Sequence, residues 1–318
     1  MASIFRITIL FLALAGSVAA QTYPTRPITL LVSTTPGASP DLIARLFGQH
    51  LSDLLKQPVL IENKGGANGQ IAVAAALHAA ADGYTFLATT GATLAINPTL
   101  YPKNGQSVLT LAPITRFAHQ DFMLTVRPEL GVNSLADLVA WSKKNAGKLN
   151  VATTAVGSIA YLTARLFERA AGIEFVTVPY NGGGQALSAV LGGHADVLVE
   201  TLSLSRPYIE TGKLLPIAVT GPQRSAFLPN TPTLKELGLN VETSGSTAMV
   251  APKGTPSDII GRVYAALAGG AARADIKAQL DQLSAEPVLN SPEEFGREWR
   301  AEAAMWERVI QDSGIKVQ

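Results

Sequence analysis

The sequence predicts an α/β fold built as two similar blocks and a helical tail, and three observations carry that reading. Short continuous apolar runs alternate with longer runs in which apolar residues recur every three to four positions. Turns rich in Gly, Pro, Asn and Asp separate these runs. The order strand, helix, strand, helix, strand then occurs twice, which is the pattern of parallel strands joined by crossover helices.

The first block opens with an apolar strand at residues 28–33; Pro24 and Pro27 prevent regular structure before it. Leu42, Ile43, Leu46, Phe47, Leu51, Leu54 and Leu55 recur at helical spacing, with Ser39 and Asp41 where an N-cap would fall. Residues 59–62 read as the next strand, 71–78 as a small-residue helix and 84–89 as a third strand. An extended crossing at 122–127 leads to the second block. There, helices at 135–144, 159–171, 185–191 and 204–211 interleave with strands at 149–153, 175–178, 197–200 and 216–220. An extended return at 248–252 precedes helices at 257–268 and 276–283. Ser291-Pro292-Glu293-Glu294 then has the form of a capped helix start. Phe295, Trp299, Trp306 and Ile310 share one face of this last helix, as core-facing residues do.

Composition narrows the function. Residues 1–20 read as a secretory signal: Arg6 is the only charge, residues 7–18 form an apolar stretch, and Val18-Ala19-Ala20 is a small-residue cleavage site. Cleavage after Ala20 leaves a formal net charge of zero with His neutral, so the chain lacks the broad positive field that binds nucleic acid. There is no cysteine, which excludes disulfides, thiolate catalysis and cysteine-based zinc sites. His50, His78, His119 and His194 are scattered, none at metal-ligand spacing. Neither a G-x-S-x-G elbow nor an H-E-x-x-H helix occurs. The expectation is therefore no catalytic residue, no metal and no cofactor.

The turns that leave the strands are the candidate binding elements, because backbone N–H groups at helix starts attract anions and parallel α/β sheets bind ligands at their carboxyl edge. Pro36-Gly37-Ala38-Ser39-Pro40-Asp41 is either a tight connection capped by Asp41 or a loop that turns the Ala38 and Ser39 N–H groups toward a ligand. Thr89-Thr90-Gly91 and Gly157-Ser158 carry the same two readings. Asn181-Gly182-Gly183-Gly184 is bare enough for backbone to approach a ligand. Glu200 ends a buried strand, either as a solvated strand end or as an acceptor for a ligand N–H or O–H. Glu62-Asn63-Lys64-Gly65-Gly66-Ala67-Asn68-Gly69 has neither phosphate-loop spacing and reads as a structural turn.

An ordered series of phrases runs through the whole mature chain. It includes Tyr23-Pro24-Thr25-Arg26-Pro27-Ile28, Pro36-Gly37 with Asp41 and Arg45, Glu62-Asn63 with Gly65, Ala67 and Gly69, and Asp82-Gly83-Tyr84-Thr85. Ala95-Ile96-Asn97-Pro98, Pro179-Tyr180-Asn181-Gly182, Gly212-Lys213-Leu214 and Ala251-Pro252-Lys253-Gly254-Thr255-Pro256 follow in order. With these phrases the chain resembles the Bug-type extracytoplasmic solute receptors of the tripartite tricarboxylate transporter family. The resemblance implies a two-lobed periplasmic binding protein, type II-like, with a ligand cleft between the lobes and a two-strand hinge. Lobe 1 would be residues 21–124 with 249–318, and lobe 2 residues 125–248. It implies capture of a small organic acid, delivery to membrane transporter subunits, and a monomer in the periplasm. The ligand residues it implies are Thr34, Thr35, Gly37, Ala38, Ser39 and Asp41 in the first loop and Thr89, Thr90, Gly91 and Ala92 after the third strand. In the second lobe they are Gly157, Ser158, Tyr161, Asn181, Gly182, Glu200 and Thr201. A sensing subunit for a membrane partner and a small-ester or amide hydrolase are the rival readings.

The chain departs from the family pattern at several of these places. Ala38 and Pro40 stand where a second Gly and a Thr are usual, Tyr161 stands for a His, Thr110-Leu111 for Asp-Phe, and Thr247-Ala248 for an aromatic pair. Small residues at 247 and 248 predict a roomier cleft wall, and with Tyr161 they predict an aromatic or medium-chain acid as ligand.

Overall fold

The computed structural model describes residues 23–101 and 105–313. The leader segment and its cleavage position lie outside the described residues.

In chain order, β1 (Ile28–Val32), α1 (Ser39–Leu55), β2 (Val59–Asn63), α2 (Gln70–His78) and β3 (Thr85–Thr90) form the first block. The short helices α3 (Gly91–Ala95) and α4 (Asn97–Leu100) then lead to β4 (Ala112–Val126). The second block is α5 (Leu135–Lys144), β5 (Asn150–Thr154), α6 (Ile159–Ala171), β6 (Val176–Tyr180), α7 (Gly183–Leu191), β7 (Val197–Thr201), α8 (Leu202–Glu210) and β8 (Leu215–Val219). After it come β9 (Ser244–Ala251), α9 (Ser257–Ala268), α10 (Ala274–Gln282), β10 (Ala285–Pro287) and α11 (Pro292–Ser313).

The strands lie in the order β2-β1-β3-β9-β4-β7-β5-β6. β1 pairs in parallel with β2 and β3, and β5 in parallel with β6 and β7, as the alternation predicts. β4 joins the two halves. Up to Asp121 it pairs with β9 and β10; from Phe122 onward it pairs with β7 and β8. Asp121 lies opposite Ser244, while the preceding Thr243 donates its N–H to Thr220 just after β8. Two extended segments therefore change partners side by side, at 121–122 and at 243–244.

Two apolar clusters hold this arrangement. One packs α1, α9 and α10 on the first half, with Phe47 and Phe117 stacked at 4.7 Å. The other runs through both halves, from Leu94 and Leu124 to Val151 and Phe167, and includes Phe295, Trp299, Trp306 and Ile310 of α11. The stripe on the last helix is core, as its spacing predicts. The Trp299 indole N–H also donates to the Leu94 carbonyl at 2.8 Å, and Arg169 of α6 reaches the Asp312 carbonyl at 2.7 Å. Thus α11 ties the halves together on one side. Ser291 caps it as predicted, accepting from the Glu294 N–H.

The sequence pattern misses α3, α4, β10 and the first ten residues of β4. The short helices span at most five residues, less than two turns, so no period can show. In β4, Arg116, His119 and Asp121 break the apolar pattern, and tertiary partners accommodate them. The Arg116 guanidinium bonds Glu302 of α11 at 3.0 Å, and His119 faces Asp121 at 3.4 Å.

Candidate functional site

The turns singled out in the sequence follow β1, β3, β5, β6 and β7, all at the carboxyl ends of parallel strands. On the first half, the loop from Ser33 to Ala38 enters α1. Its organiser is Asp41, which has no exposed surface. Asp41 Oδ2 accepts from the Gly37 N–H at 2.8 Å and from Arg45 Nε at 3.0 Å, and Oδ1 accepts from Asn63 Nδ2 at 2.7 Å. Burial works against its charge, but the hydrogen bonds from Arg45, Asn63 and Gly37 outweigh it and hold the carboxyl below its ordinary range. Asp41 is thus not the N-cap. Ala38 occupies that position without a side chain to cap with, and Asp41 lies one turn in, folding the loop back onto the helix. All the bonds of the Asp41 carboxylate are internal.

The same geometry corrects the expected free donors. The Ala38 N–H donates to the Thr35 carbonyl at 3.3 Å, so of the pair only the Ser39 N–H stays open; the Ser39 hydroxyl accepts from Gln120 Nε2 at 2.6 Å. Thr35 and Gly37 are exposed, and Thr34 Oγ1 is buried with no partner. Arg45 forms a partly exposed ion pair with Asp41 and donates to Asn63 Oδ1 at 2.9 Å, both within the first half. Arg26 lies at the opposite end of β1, paired with Asp82 at 2.8 Å and over the Tyr84 ring at 4.0 Å.

The glycine-rich turn after β2 is the scaffold of the first loop, in agreement with its structural reading. Asn63 Nδ2 also bonds the Thr34 carbonyl at 3.0 Å, and a Cβ at Gly65 would lie 3.1 Å from the Thr35 nitrogen. Gly69 adopts φ +85°, and a Cβ there would come within 2.6 Å of Thr93 Oγ1, so no larger residue fits. After β3, Thr89 is fully buried and donates to Ser33 Oγ at 2.8 Å; Thr90 caps α3, accepting from the Thr93 N–H at 3.2 Å. Gly91 is buried, with Ser246 Oγ 2.6 Å from where its Cβ would stand, and Ala92 is half-buried beside it.

On the second half, Ser158 caps α6: its Oγ accepts from the Tyr161 N–H at 3.1 Å and from Thr154 Oγ1 at 2.9 Å, leaving its own proton to donate. Gly157 before it adopts φ +84°, and Tyr161 is half-buried against the large apolar cluster. Asn181 is exposed, and Gly182 precedes α7 with no side-chain cap. Glu200 is 6% exposed. Its Oε1 accepts from the Thr201 N–H at 2.9 Å, and its Oε2 has no partner. Burial pushes this carboxyl up to about 7 against the lowering effect of the Thr201 contacts. Glu200 is therefore not a solvated strand end.

The sequence reading misses the residue that links the two sets of loops. Asn68 Nδ2 donates to the Tyr101 hydroxyl at 3.0 Å and to the Val156 carbonyl, in the loop after β5, at 2.9 Å. Its own carbonyl accepts from Thr93 and Asn97. Asn68 stands at φ 50°, ψ 38°, a left-handed conformation that Asn tolerates. That the segment was a turn is legible; that it touches Val156, 88 positions away, is not. Thr247 and Ala248 have no exposed surface and lie in β9 at the middle of the sheet. They do not form an open wall, and the roomier cleft expected from them is not found at these positions.

The groups left open at these loops are hydroxyls, helix-start N–H groups and one buried carboxyl with an unpartnered oxygen, a set suited to holding a polar anion. Among the described residues no hydrogen bond joins a histidine to these hydroxyls, and no group of three His, Asp or Glu side chains is arranged to hold a metal ion. No described helix is long and apolar enough to cross a membrane.

Comparison with known proteins agrees with this picture. Residues 43–315 match the family described as "Tripartite tricarboxylate transporter family receptor". The chain is 34% identical to Protein BugT of Bordetella pertussis, over 97% of each chain. It is similar to the solved structure described as R. palustris Rpa4515 with adipate, with a TM-score of 0.86 and 33% identity over 92% of this chain and 99% of that one. It is also similar to MatC (Rpa3494) from Rhodopseudomonas palustris with bound malate, with a TM-score of 0.82 and 27% identity over 91% and 100% of the two chains.

Proposed function

This chain belongs to the receptor family of the tripartite tricarboxylate transporters, and from that premise we propose that it captures a small organic carboxylate and presents it to membrane transporter subunits. The ligand is held between the loops of the two halves and released unchanged, so the protein is a receptor and not an enzyme. It acts in the periplasm as a monomer, after cleavage of the leader following Ala20. The two halves act as lobes that divide and pivot where the extended segments change partners, at 121–122 and 243–244, a few residues before the boundaries at 124 and 249 that the resemblance implies. The single observation that carries this reading is the meeting of two sets of strand-end loops, joined by the Asn68–Val156 hydrogen bond.

Within that cleft we assign the donors that remain open. In the first lobe these are the Ser39 N–H with the hydroxyls of Thr34 and Thr35, beside Gly37, Ala38, Gly91 and Ala92, while the Thr90 hydroxyl is taken up by Thr93 and caps α3. In the second lobe, Ser158, Asn181, Gly182 and Thr201 face the same space, with Gly157 and Tyr161 shaping it. Asp41 and Thr89 serve by holding loops in place. A helix start contributes only ~0.3–2 kcal/mol toward an anion, so useful affinity requires several such groups together.

The test is a thermal-shift screen of carboxylates, among them adipate, malate, citrate and aromatic acids, followed by mass spectrometry of what the protein releases on denaturation. A cleft ligand raises the melting temperature by mass action. We expect at least one acid to do so and to be recovered intact. Recovery of a hydrolysed product, or no shift with any acid, would refute the receptor reading.

A further inference from the structure

We propose that Glu200 is a proton-carrying contact of the second lobe: its carboxyl donates a hydrogen bond from Oε2 to a carboxylate of the captured acid, so that capture takes up a proton. This rests on the receptor reading above.

The geometry divides the two oxygens of Glu200 by role. Oε1 accepts the Thr201 N–H at 2.9 Å and is the acceptor oxygen. Oε2 is buried and accepts no hydrogen bond. An ionised carboxylate in that setting would carry part of its charge on an oxygen shut off from solvent and accepting no hydrogen bond from the protein, which is costly. A proton on Oε2 removes the charge and turns the oxygen into a donor that lacks an acceptor.

An acceptor is what an anionic ligand would bring. Oε2 is aimed at the start of α7: a Cβ at Gly183 would stand 3.0 Å from it. α7 has nine residues and a glycine at its cap, so the first N–H groups of the helix have neither a carbonyl within it nor a capping side chain. The turn over the carboxyl, Asn181 to Gly184, is three glycines and one Asn, and Cβ atoms at Gly182 and Gly184 would meet nothing within 4 Å. A ligand carboxylate there could accept from helix-start N–H groups and from the Glu200 O–H together. An ionised Glu200 would repel the same ligand.

No neighbouring charge substitutes for that proton. The half of β4 paired with β7 carries no charged side chain, and neither do β5, β8 and α7. Of the helices packed on β7, α6 contributes Arg165, Glu168 and Arg169, and α8 contributes Arg206 and Glu210. Arg165 pairs with Glu168, Arg169 with the Asp312 carbonyl, and Arg206 with Glu210. Burial without a compensating charge pushes the free Glu200 carboxyl up to about 7, so both protonation states are populated near neutrality.

The experiment is calorimetry of adipate and malate binding at pH 6.5 and pH 8.0, each in two buffers of different ionisation enthalpy. Between these pH values the acids stay largely ionised. Wild type should bind roughly tenfold more weakly at pH 8.0, with net proton uptake approaching one at the higher pH, by the linkage of a single titrating group. Glu200→Gln keeps a donor and should bind with an affinity independent of pH, close to the wild-type value at pH 6.5, with no proton uptake. Glu200→Ala should bind more weakly at both. If wild type binds an acid with no pH dependence and no proton uptake, the assignment of Glu200 is wrong while the receptor reading stands. The same holds if Glu200→Gln keeps the wild-type proton uptake. If none of the acids binds at either pH, the receptor reading fails and takes this inference with it. The wild-type measurement decides the question even if a variant does not fold.

Discussion

Asp41→Ala separates a residue that organises the binding loop from one that touches the ligand. The substitution deletes a fully buried carboxylate that accepts from Gly37, Arg45 and Asn63. Arg45 is 46% exposed, so its ion pair is screened and contributes little. The bonds from the Gly37 N–H and Asn63 Nδ2 to a charged acceptor are worth about 1.5–3 kcal/mol each. Rehydration at the exposed Gly37 side recovers part of that, and the expected loss is ~3 kcal/mol. For a chain of this length that corresponds to a fall in melting temperature of ~5 °C, from the usual unfolding entropy per residue. The loss should appear without ligand, by calorimetry or urea unfolding, and ligand affinity should fall with it because the loop from Thr34 to Ala38 is no longer held. It should also depend on pH. The folded carboxyl lies below its ordinary value, so its contribution is complete above about pH 4 and disappears as pH falls through the lowered value. A variant as stable as wild type to within ~0.5 kcal/mol that had nonetheless lost binding would refute the argument and make Asp41 a direct contact.

Three further perturbations test the same geometry. Asn68→Ala removes the bond to Val156 and places a Cβ residue without a polar side chain at positive φ, so scattering should show a larger radius of gyration for the unliganded protein and binding should weaken several-fold; Asn68→Gly, which keeps the backbone free, should show the opening alone. Ser158→Ala should cost ~1 kcal/mol of stability through the lost cap and weaken ligand binding in calorimetry, whereas Arg26→Ala, at the far end of β1, should leave both within ~0.5 kcal/mol; the reverse ranking would place the cleft elsewhere. Gly183→Ala would drive a methyl to 2.9 Å from Leu204 and 3.0 Å from Glu200, and should lower stability by ~1–3 kcal/mol in urea unfolding; unchanged stability would show that the start of α7 does not close on Glu200 as described.

Features under local chemical control are legible in the amino-acid order. The parallel strands, most helices and the core stripe of α11 follow from apolar period, and the position of each candidate turn follows from Gly, Pro and Asn, because these residues act on their own backbone. The family was legible for a related reason: its phrases are those turns, in order. Function at the level of an anion-holding receptor came from the same phrases. The partner of each turn residue, by contrast, depends on which distant segments fold against it. Asp41 looked like a cap and proved to be a three-bond anchor, because one of its donors, Asn63, arrives from the next strand. Ala38 looked like a free donor and is bonded to Thr35. Glu200 could be a solvated end or a buried acceptor until α7 and Thr201 were in place around it. Thr247 and Ala248 could line a cleft until β9 put them inside the sheet. The contact of Asn68 with Val156 gave no signal, since a hydrogen bond across 88 residues leaves no period or spacing in the chain. Burial and partnership are properties of surfaces brought together from distant segments. A local pattern can name the residue that will stand at such a surface, but not which groups will meet it there.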